Sequence, residues 1–416
     1  MALLRLDQLE DVVVDQWQGF KNKDKGISRA VDMEKYLKTK QITVISGIRR
    51  SGKSTLLAQF SKNYENYYYI NFEDERLVDF KVRDFANLML VFKMMYSARV
   101  IFMDEVQNIK GWERFVRRLY EEGFKIFVTG SNAKLLSSEL ATHLTARYFK
   151  IELYPFSFVE FLNFNKVDVI GHGSDSKVEI IKYFDEYART GGFPEMVKYQ
   201  DVEFLKRIYE DVLYKDLLVR FKIRDVEAFK QLAGYLFSNF TKAISYNSLK
   251  NMLGFKSAMS VKNYVNYLQE SYLFFSIYKY DYSLKKQFIS DKKIYAIDNG
   301  LRNAVSFAVS DDRGRLLENM IFLELKRRGY EVYFFKGKGE CDFVLKEKNK
   351  ITTAIQVSEV LDESNKEREI NGLREAMTQF HLKNGIMITK SQDYETELEV
   401  PKGVKIVSAW RWMMGK

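Results

Sequence analysis

The run Gly47-Ile48-Arg49-Arg50-Ser51-Gly52-Lys53-Ser54 fits the pattern G-x-x-x-x-G-K-[ST], and its neighbours suit it. The apolar, strand-like Gln41–Ser46 leads in, and the helical pattern Ser54–Tyr64 leads out. The glycines let backbone N–H groups curl round a phosphate, and the start of the following helix adds positive potential. Lys53 is placed to reach the terminal phosphates, and the Ser54 hydroxyl to ligate Mg²⁺. Thr55 continues the first helical turn. The expected phosphate cradle is therefore Gly47, Ile48, Arg49, Arg50, Ser51, Gly52, Lys53, Ser54 and Thr55. A glycine-rich turn without a ligand is the alternative, and the strand before and helix after argue against it.

Downstream, Val100-Ile101-Phe102-Met103-Asp104-Glu105 reads as a buried strand delivering two carboxylates at its C-terminal end, where open α/β sheets bind ligands. Asp104 is expected to hold the Mg²⁺, and Glu105 to polarise the attacking water as general base. Such an adjacent pair favours hydrolysis over a binding-only switch. A further strand, Lys125–Thr129, ends in Gly130-Ser131-Asn132. Asn132, with Ser131 next in order, is expected to orient the lytic water or read the γ-phosphate; both are also good caps for a helix beginning at Ala133. Arg147 stands where the strand Phe149–Leu153 begins, and is either an arginine finger stabilising transition-state charge or a surface arginine.

Around these motifs, the strand-like runs Gln41–Ser46, Tyr67–Phe72, Arg99–Met103, Lys125–Thr129 and Phe149–Leu153 alternate with helical patterns at Ser54–Tyr64, Val78–Met95, Trp112–Glu122 and Ala133–Leu144. That alternation predicts a parallel sheet covered on both faces. A mostly helical lead-in occupies residues 1–38, with Ile27-Ser28-Arg29 just before the amphipathic Val31–Leu37. The whole chain, 416 residues with 46% hydrophobic and 29% charged, is an ordinary globular mixture too long for one small core. Cys341, the single cysteine, excludes an internal disulfide, and no secretory h-region follows Met1, so a cytoplasmic address is expected. No stretch approaches the ~20 apolar residues of a membrane helix, so no membrane partner is expected. The net charge of +10 favours a polyanionic partner.

Gly-Ile-Arg-Arg-Ser-Gly-Lys-Ser-Thr (47–55), Asp-Glu-Val-Gln-Asn-Ile-Lys-Gly-Trp (104–112), Thr-Gly-Ser-Asn-Ala (129–133) and Tyr-Pro-Phe-Ser-Phe (154–158) together resemble a family of archaeal and bacterial AAA+ ATPases with a C-terminal domain of uncharacterised function. Thr-Gly-Gly-Phe-Pro-Glu (190–195) and Asp298-Asn299-Gly300-Leu301 extend the resemblance over nearly the whole chain. It implies ATP and Mg²⁺ as cofactors and a homo-oligomer, an arc or a hexameric ring, in which Arg147 acts across a subunit interface. Related origin-recognition and signalling ATPases place a Gly-x-Pro of the lid against the nucleotide base. By that resemblance Gly192-Phe193-Pro194 touches the adenine; a tight turn between helices explains the same residues equally well.

The segment Thr241–Lys293 holds nine lysines against three acids. Its pattern is a helix (Asn247–Leu253), a turn at Gly254, a longer helix (Met259–Leu273) and strands at Phe274–Asp281 and Lys293–Asp298, an order that looks like a winged helix-turn-helix. On the longer helix Val261, Tyr264, Val265, Leu268 and Tyr272 share one face, while Lys262, Asn263, Asn266 and Gln269 share the other. Those four, with Lys285 and Lys286, are the expected DNA contacts. The last segment runs helix (Leu316–Arg328), strands (Glu331–Lys336, Cys341–Lys346, Thr352–Ser358), helix (Ser364–Phe380) and strand (Gly385–Thr389), which resembles restriction-endonuclease-like nucleases. Glu318, Asp342 and Gln356 fall where that fold carries its metal-binding carboxylates. Gln356-Val357-Ser358 lacks the lysine of Glu-x-Lys and one acid, so a non-catalytic scaffold is expected, although Glu318 and Asp342 retain two hard oxygen ligands for a divalent metal.

The expected architecture is α/β multidomain. A lead-in and AAA+ P-loop parallel-sheet core span 1–165, a helical lid 166–225, a winged helix 226–300 and a nuclease-like α/β domain 301–416. The expected function is ATP hydrolysis coupled to a DNA transaction, on branched DNA such as a four-way junction in its most specific form. The rival is a signalling-type switch recruiting proteins through the basic C-terminal half, and a third class is an active metal nuclease.

Overall fold

Strands β1 (Ile42–Ser46) and β3 (Val100–Asp104) are buried at every position, as strands covered on both faces must be. With β2 (Tyr68–Asn71), β4 (Lys125–Gly130) and β5 (Tyr148–Glu152) they form an all-parallel sheet in the order β2-β3-β4-β1-β5. Alternate side chains feed two cores. Ile42, Val44, Ile101, Met103, Ile126 and Val128 join one face with α1 (Leu6–Lys21), α4 (Phe85–Met95) and α5 (Trp112–Glu121). Ile45, Phe102 and Phe127 join the other with α3 (Lys53–Ser61) and, at its margin, α2 (Met33–Lys38). The expected helix Val78–Met95 is shorter: its first part holds only a single 3-10 turn, Val82–Asp84, after another at Glu75–Leu77, and α-helix begins at Phe85.

This computed structural model describes residues 5–132, 144, 147–168, 174–306, 312–390 and 401–415. The expected helix Ala133–Leu144 therefore lies outside the described residues, apart from Leu144. The chain divides into two compact units, Met1–Tyr154 with Glu270–Tyr272, and Pro155–Gln269 with Leu273–Lys416. The break falls earlier than the expected 165, because α6 (Phe158–Phe164) packs Phe158 and Phe161 on Phe184 and Tyr187 of α7 (Ser174–Thr190).

The second unit continues with α8 (Pro194–Tyr199) and with α9, which starts at Glu203–Asp211 and passes through a π-helical stretch, Val212–Leu218, to Val219–Phe221. Next come α10 (Val226–Ser238), β6 (Ala243–Ile244), α11 (Tyr246–Leu253), α12 (Ala258–Glu270), β7 (Phe274–Tyr278), α13 (Leu284–Ile289) and β8 (Lys292–Ala296). The three strands form an antiparallel sheet, β6-β8-β7. Val261, Val265 and Leu268 of α12 are buried, so the apolar face read from the sequence is the packed one. Helix α13, inside the β7–β8 connection, was not expected. After α14 (Asn299–Val305), the last module comprises α15 (Arg313–Arg327), β9 (Glu331–Lys336), β10 (Glu340–Glu347), β11 (Lys350–Ser358), α16 (Lys366–Gln379), β12 (Gly385–Thr389), β13 (Val404–Ser408) and α17 (Ala409–Met413). Its sheet runs β13-β12-β11-β10-β9, antiparallel across β9–β11 and parallel beyond. Among the described residues no helix is long and apolar enough to cross a membrane.

Candidate functional site

Because the first sheet is parallel, the C-terminal ends of β1, β3 and β4 share one edge: Ser46 is level with Gly130, and Met103 with Val128. The loop from Gly47 leaves that edge, and α3 starts at Lys53. Gly47 has no alternative, since a Cβ there would lie 2.1 Å from the Leu153 carbonyl oxygen. Gly52 caps α3 at φ 96°, a conformation that disfavours any side chain. Ser51 Oγ is buried inside the loop without a hydrogen-bond partner among the described residues. A glycine-lined cradle with an unanswered hydroxyl at a helix N-terminus fits a phosphate group.

Lys53, 4% exposed, donates to the Ile48 carbonyl at 3.2 Å and lies 3.5 Å from Glu105 Oε1. Glu105 adopts the left-handed conformation, φ 51° and ψ 46°, which costs a residue with a side chain ~1–2 kcal/mol and turns the chain sharply after β3. Its N–H donates to Thr129 Oγ1 at 2.9 Å, and that hydroxyl donates to Asp104. Thr129 thus ties the acidic pair to the neighbouring strand. The Gln107 amide donates to Glu105 and, at 3.3 Å, to Ser131 Oγ. Burial, then the charge of Glu105, raises the pKa of Asp104, against hydrogen bonds from Ser54 and Thr129. Burial opposes ionisation of Glu105 as well, but Lys53, Gln107 and Arg49 outweigh it and hold its pKa below the usual carboxylate range. Glu105 is therefore an ionised acceptor near neutral pH. Ser54 bonded to Asp104 is the pair of hard oxygen donors that suits Mg²⁺.

Several supporting residues escaped the sequence reading. Arg29, noted only as part of the lead-in, is buried and donates to the carbonyls of Ser51 at 2.8 Å and Tyr154 at 2.7 Å, bracing the loop. Gln59 of α3 donates to the carbonyls of Lys25 and Ile27, so the lead-in runs along the phosphate-loop helix. Arg49 pairs with Glu73. Asn132 is buried just beyond β4, beside the cluster's edge. Arg147 sits at the N-terminal end of β5, next to Ile42, and lies 4.0 Å from Glu121, so the structure does not bring it to the phosphate loop of its own chain. Pro194 is the first residue of α8, the favoured helical place for proline. The preceding Gly192 is packed so closely that a Cβ would meet the Phe156 carbonyl at 2.2 Å, which gives the Gly-Phe-Pro run a local packing role.

In the basic segment Lys262, Asn263, Lys285 and Lys286 are exposed and Asn266 is half-buried. Gln269 is engaged instead: its Oε1 accepts from Ser276 at 2.7 Å, which ties α12 to β7. Lys293 leaves the basic surface altogether. Only 4% exposed, its ammonium contacts Glu318 at 3.2 Å, Asp342 at 3.0 Å and Glu340 at 2.7 Å. The expectation that Glu318 and Asp342 are available for a metal is thereby corrected, because a lysine already supplies the positive charge between them. Burial works against that ammonium, yet Glu318, Asp342, Tyr295 and Glu340 hold its pKa well above the ordinary lysine value. Burial likewise pushes Glu318 up to about 7, against the pull of Lys293. Gln356 accepts from the Asp342 N–H at 3.1 Å and donates to Glu369 at 2.6 Å.

Comparison with known proteins adds family to geometry. A family model described as an AAA domain matches residues 39–162, and two described as domains of unknown function, DUF8612 and DUF4143, match 181–312 and 313–412. The uncharacterized protein MJ1544 of Methanocaldococcus jannaschii is 36% identical over 426 residues, covering 97% of this chain and 95% of that protein. An uncharacterized protein of Haemophilus influenzae is 32% identical over 396 residues, covering 90% and 94%. The Orc1 protein of Aeropyrum pernix, solved in complex with DNA, aligns at TM-score 0.32 and 11% identity over 73% of this chain and 92% of that one, a likeness that carries no functional argument.

Proposed function

We propose that this chain, which belongs to the family of the Methanocaldococcus jannaschii protein and carries an AAA domain, is an ATPase that couples ATP hydrolysis to work on DNA. The observation that carries the hydrolytic part is the buried cluster of Lys53, Glu105, Asp104 and Thr129 at the edge from which the phosphate loop springs. Ser54 and Asp104 are the residues that would hold a Mg²⁺ ion, which would supply positive charge against the phosphates. Lys53 engages the phosphates, Glu105 accepts a hydrogen bond from the attacking water, and Asn132 stands by to orient it. Arg147 acts in trans, in an assembly of several copies. Arg147→Ala protein mixed with Lys53→Ala protein should then regain activity, and undiminished turnover of a monomeric Arg147→Ala protein would sink this role.

Support for DNA comes from the exposed Lys262 of α12 and Lys285 and Lys286 of α13, in a helix-strand-helix-helix-strand-helix-strand order that differs from a winged helix by α13 between the last two strands. The last module adds the strand and helix order of a nuclease-like scaffold without the Glu-x-Lys. An ATPase rate titrated with single-stranded, duplex and four-way-junction DNA should rise with at least one of them; a flat response to all three would reject the coupling. A second reading, an ATP-dependent switch that recruits proteins, is favoured by Tyr282, Leu284, Phe288 and Ile289, which stand exposed on the β7–β8 connection. A flat response to DNA would leave that reading standing.

A further inference from the structure

The β7–β8 connection turns four large apolar side chains into solvent: Tyr282 (73% exposed), Leu284, Phe288 (61%) and Ile289 (75%). They stand on a braced base. Gln287 of α13 is buried, and its amide donates to the Asp281 carbonyl, closing the connection on itself. Phe288 meets the Tyr278 ring edge-on at 5.9 Å. Tyr282 meets Tyr280 in the same way at 5.5 Å, and Tyr280 packs on Phe380. Apolar side chains clustered and held out in this way mark a surface that a partner covers.

The surrounding charge selects the partner. Residues 278–290 hold three lysines against one acid, Asp281, whose carboxylate accepts from the Ser283 N–H at 2.8 Å. Lys292 lies 5.1 Å over the Tyr278 ring, and burial, then the charge of Lys262, lowers its pKa. Lys262 of α12 and the ring that braces Phe288 thus flank the same ammonium, and ammonium groups crowded together gain from a phosphate between them. Taken alone, the apolar side chains would suit a protein. Rings set among lysines suit a nucleic-acid strand, whose phosphates meet the ammonium groups and whose bases stack where no second strand covers them.

We propose that Tyr282 and Phe288 stack on unpaired bases of DNA, so that the β7–β8 connection binds where duplex opens into single strands. The inference deepens the DNA reading above and rests on it.

The experiment measures binding of full-length protein, without ATP, by fluorescence anisotropy on three labelled DNAs. One is a fork with unpaired thymidine arms, one is the same fork with abasic arms, and one is a blunt duplex. The abasic fork keeps every phosphate of the first and loses only the unpaired bases. Wild type should bind the thymidine fork about tenfold more tightly than the abasic one. Tyr282→Ala combined with Phe288→Ala should bind both forks alike, with affinity for the blunt duplex unchanged. Tyr282→Phe combined with Phe288→Tyr should keep the preference, because both rings remain. Equal wild-type binding to the two forks would overturn the proposal, leave the DNA reading standing and return these side chains to protein recruitment. A preference that survives the double alanine variant would overturn it too. Binding to none of the three DNAs would reject the DNA reading together with the inference. Both side chains are exposed, so the variants leave the core untouched, and the abasic comparison needs no variant at all.

Discussion

Lys53 and Lys293 are equally enclosed, each 4% exposed, and both face carboxylates, yet their surroundings differ in kind. Lys53 meets one acid, at 3.5 Å, and its other partner is a backbone carbonyl. Around it lie a left-handed glycine, a left-handed glutamate and the Ser51 hydroxyl, which has no partner among the described residues. Such features cost stability and leave bonding capacity for a ligand. Lys293 meets three acids, at 2.7 to 3.2 Å, in a cage whose oxygens are also bound by protein donors. Burial and charge type alone thus do not mark a working site. Unspent hydrogen-bonding capacity and backbone strain single out the first cluster as the candidate site, since of the two only it has both.

The largest effect should fall on the first cluster. Glu105→Gln should lower turnover by ~10²–10⁴-fold while still binding ATP, whereas Lys53→Ala should lose productive binding. Equilibrium nucleotide binding beside single-turnover hydrolysis separates the two, and wild-type turnover in Glu105→Gln would remove it as the base.

Stability should show the reverse ranking. Lys293→Ala strands buried carboxylates and is expected to cost ~3–5 kcal/mol in urea unfolding. Lys53→Ala should cost on the order of 1 kcal/mol, because Glu105 keeps its bond from Gln107. Equal losses would break the contrast between a working lysine and a structural one.

Thr129→Val probes how the acidic pair is held. It leaves the buried Glu105 N–H without its acceptor, worth ~1–3 kcal/mol, and should slow hydrolysis, while Thr129→Ser should restore both. Unchanged turnover in the valine variant would reduce Thr129 to a packing residue.

The smallest effect concerns the surface lysines. Replacing Lys262, Lys285 and Lys286 with Ala should flatten the salt dependence of duplex binding by ~0.9 log–log units for each phosphate no longer neutralised. Lys293→Met should leave that slope alone, since a buried ammonium releases no condensed counterions. An unchanged slope in the triple variant would move the DNA surface elsewhere on the chain.

Local pattern carried much of the fold. G-x-x-x-x-G-K-S spells out a backbone path, because glycine and helix N-terminus act within a few residues of each other. The strands Val100–Asp104 and Gly385–Thr389 were legible as apolar runs flanked by turns. The late start of α4 at Phe85 was not, since Val78-Asp79-Phe80 fits a helical stripe, yet it joins two separate 3-10 turns, and only packing decides how such a short apolar run is arranged. Likewise the α12 stripe gave the packed face but not the bond of Gln269, whose partner Ser276 lies on the following strand.

By itself, then, the sequence determined the parallel sheet, the phosphate loop and the acidic pair at its edge, each encoded by contiguous residues whose physics is local. Only the tertiary structure decided which groups support that pair. Thr129 reaches Glu105 across 24 positions, and Arg29 reaches the carbonyl of Tyr154 across 125. It alone also decided that Lys293, one of nine lysines in a basic segment, turns inward to Asp342 across 49 positions. The reason is that a long side chain's charge is the same in any sequence context. Whether it meets solvent or a buried carboxylate depends on which elements the fold stacks against it.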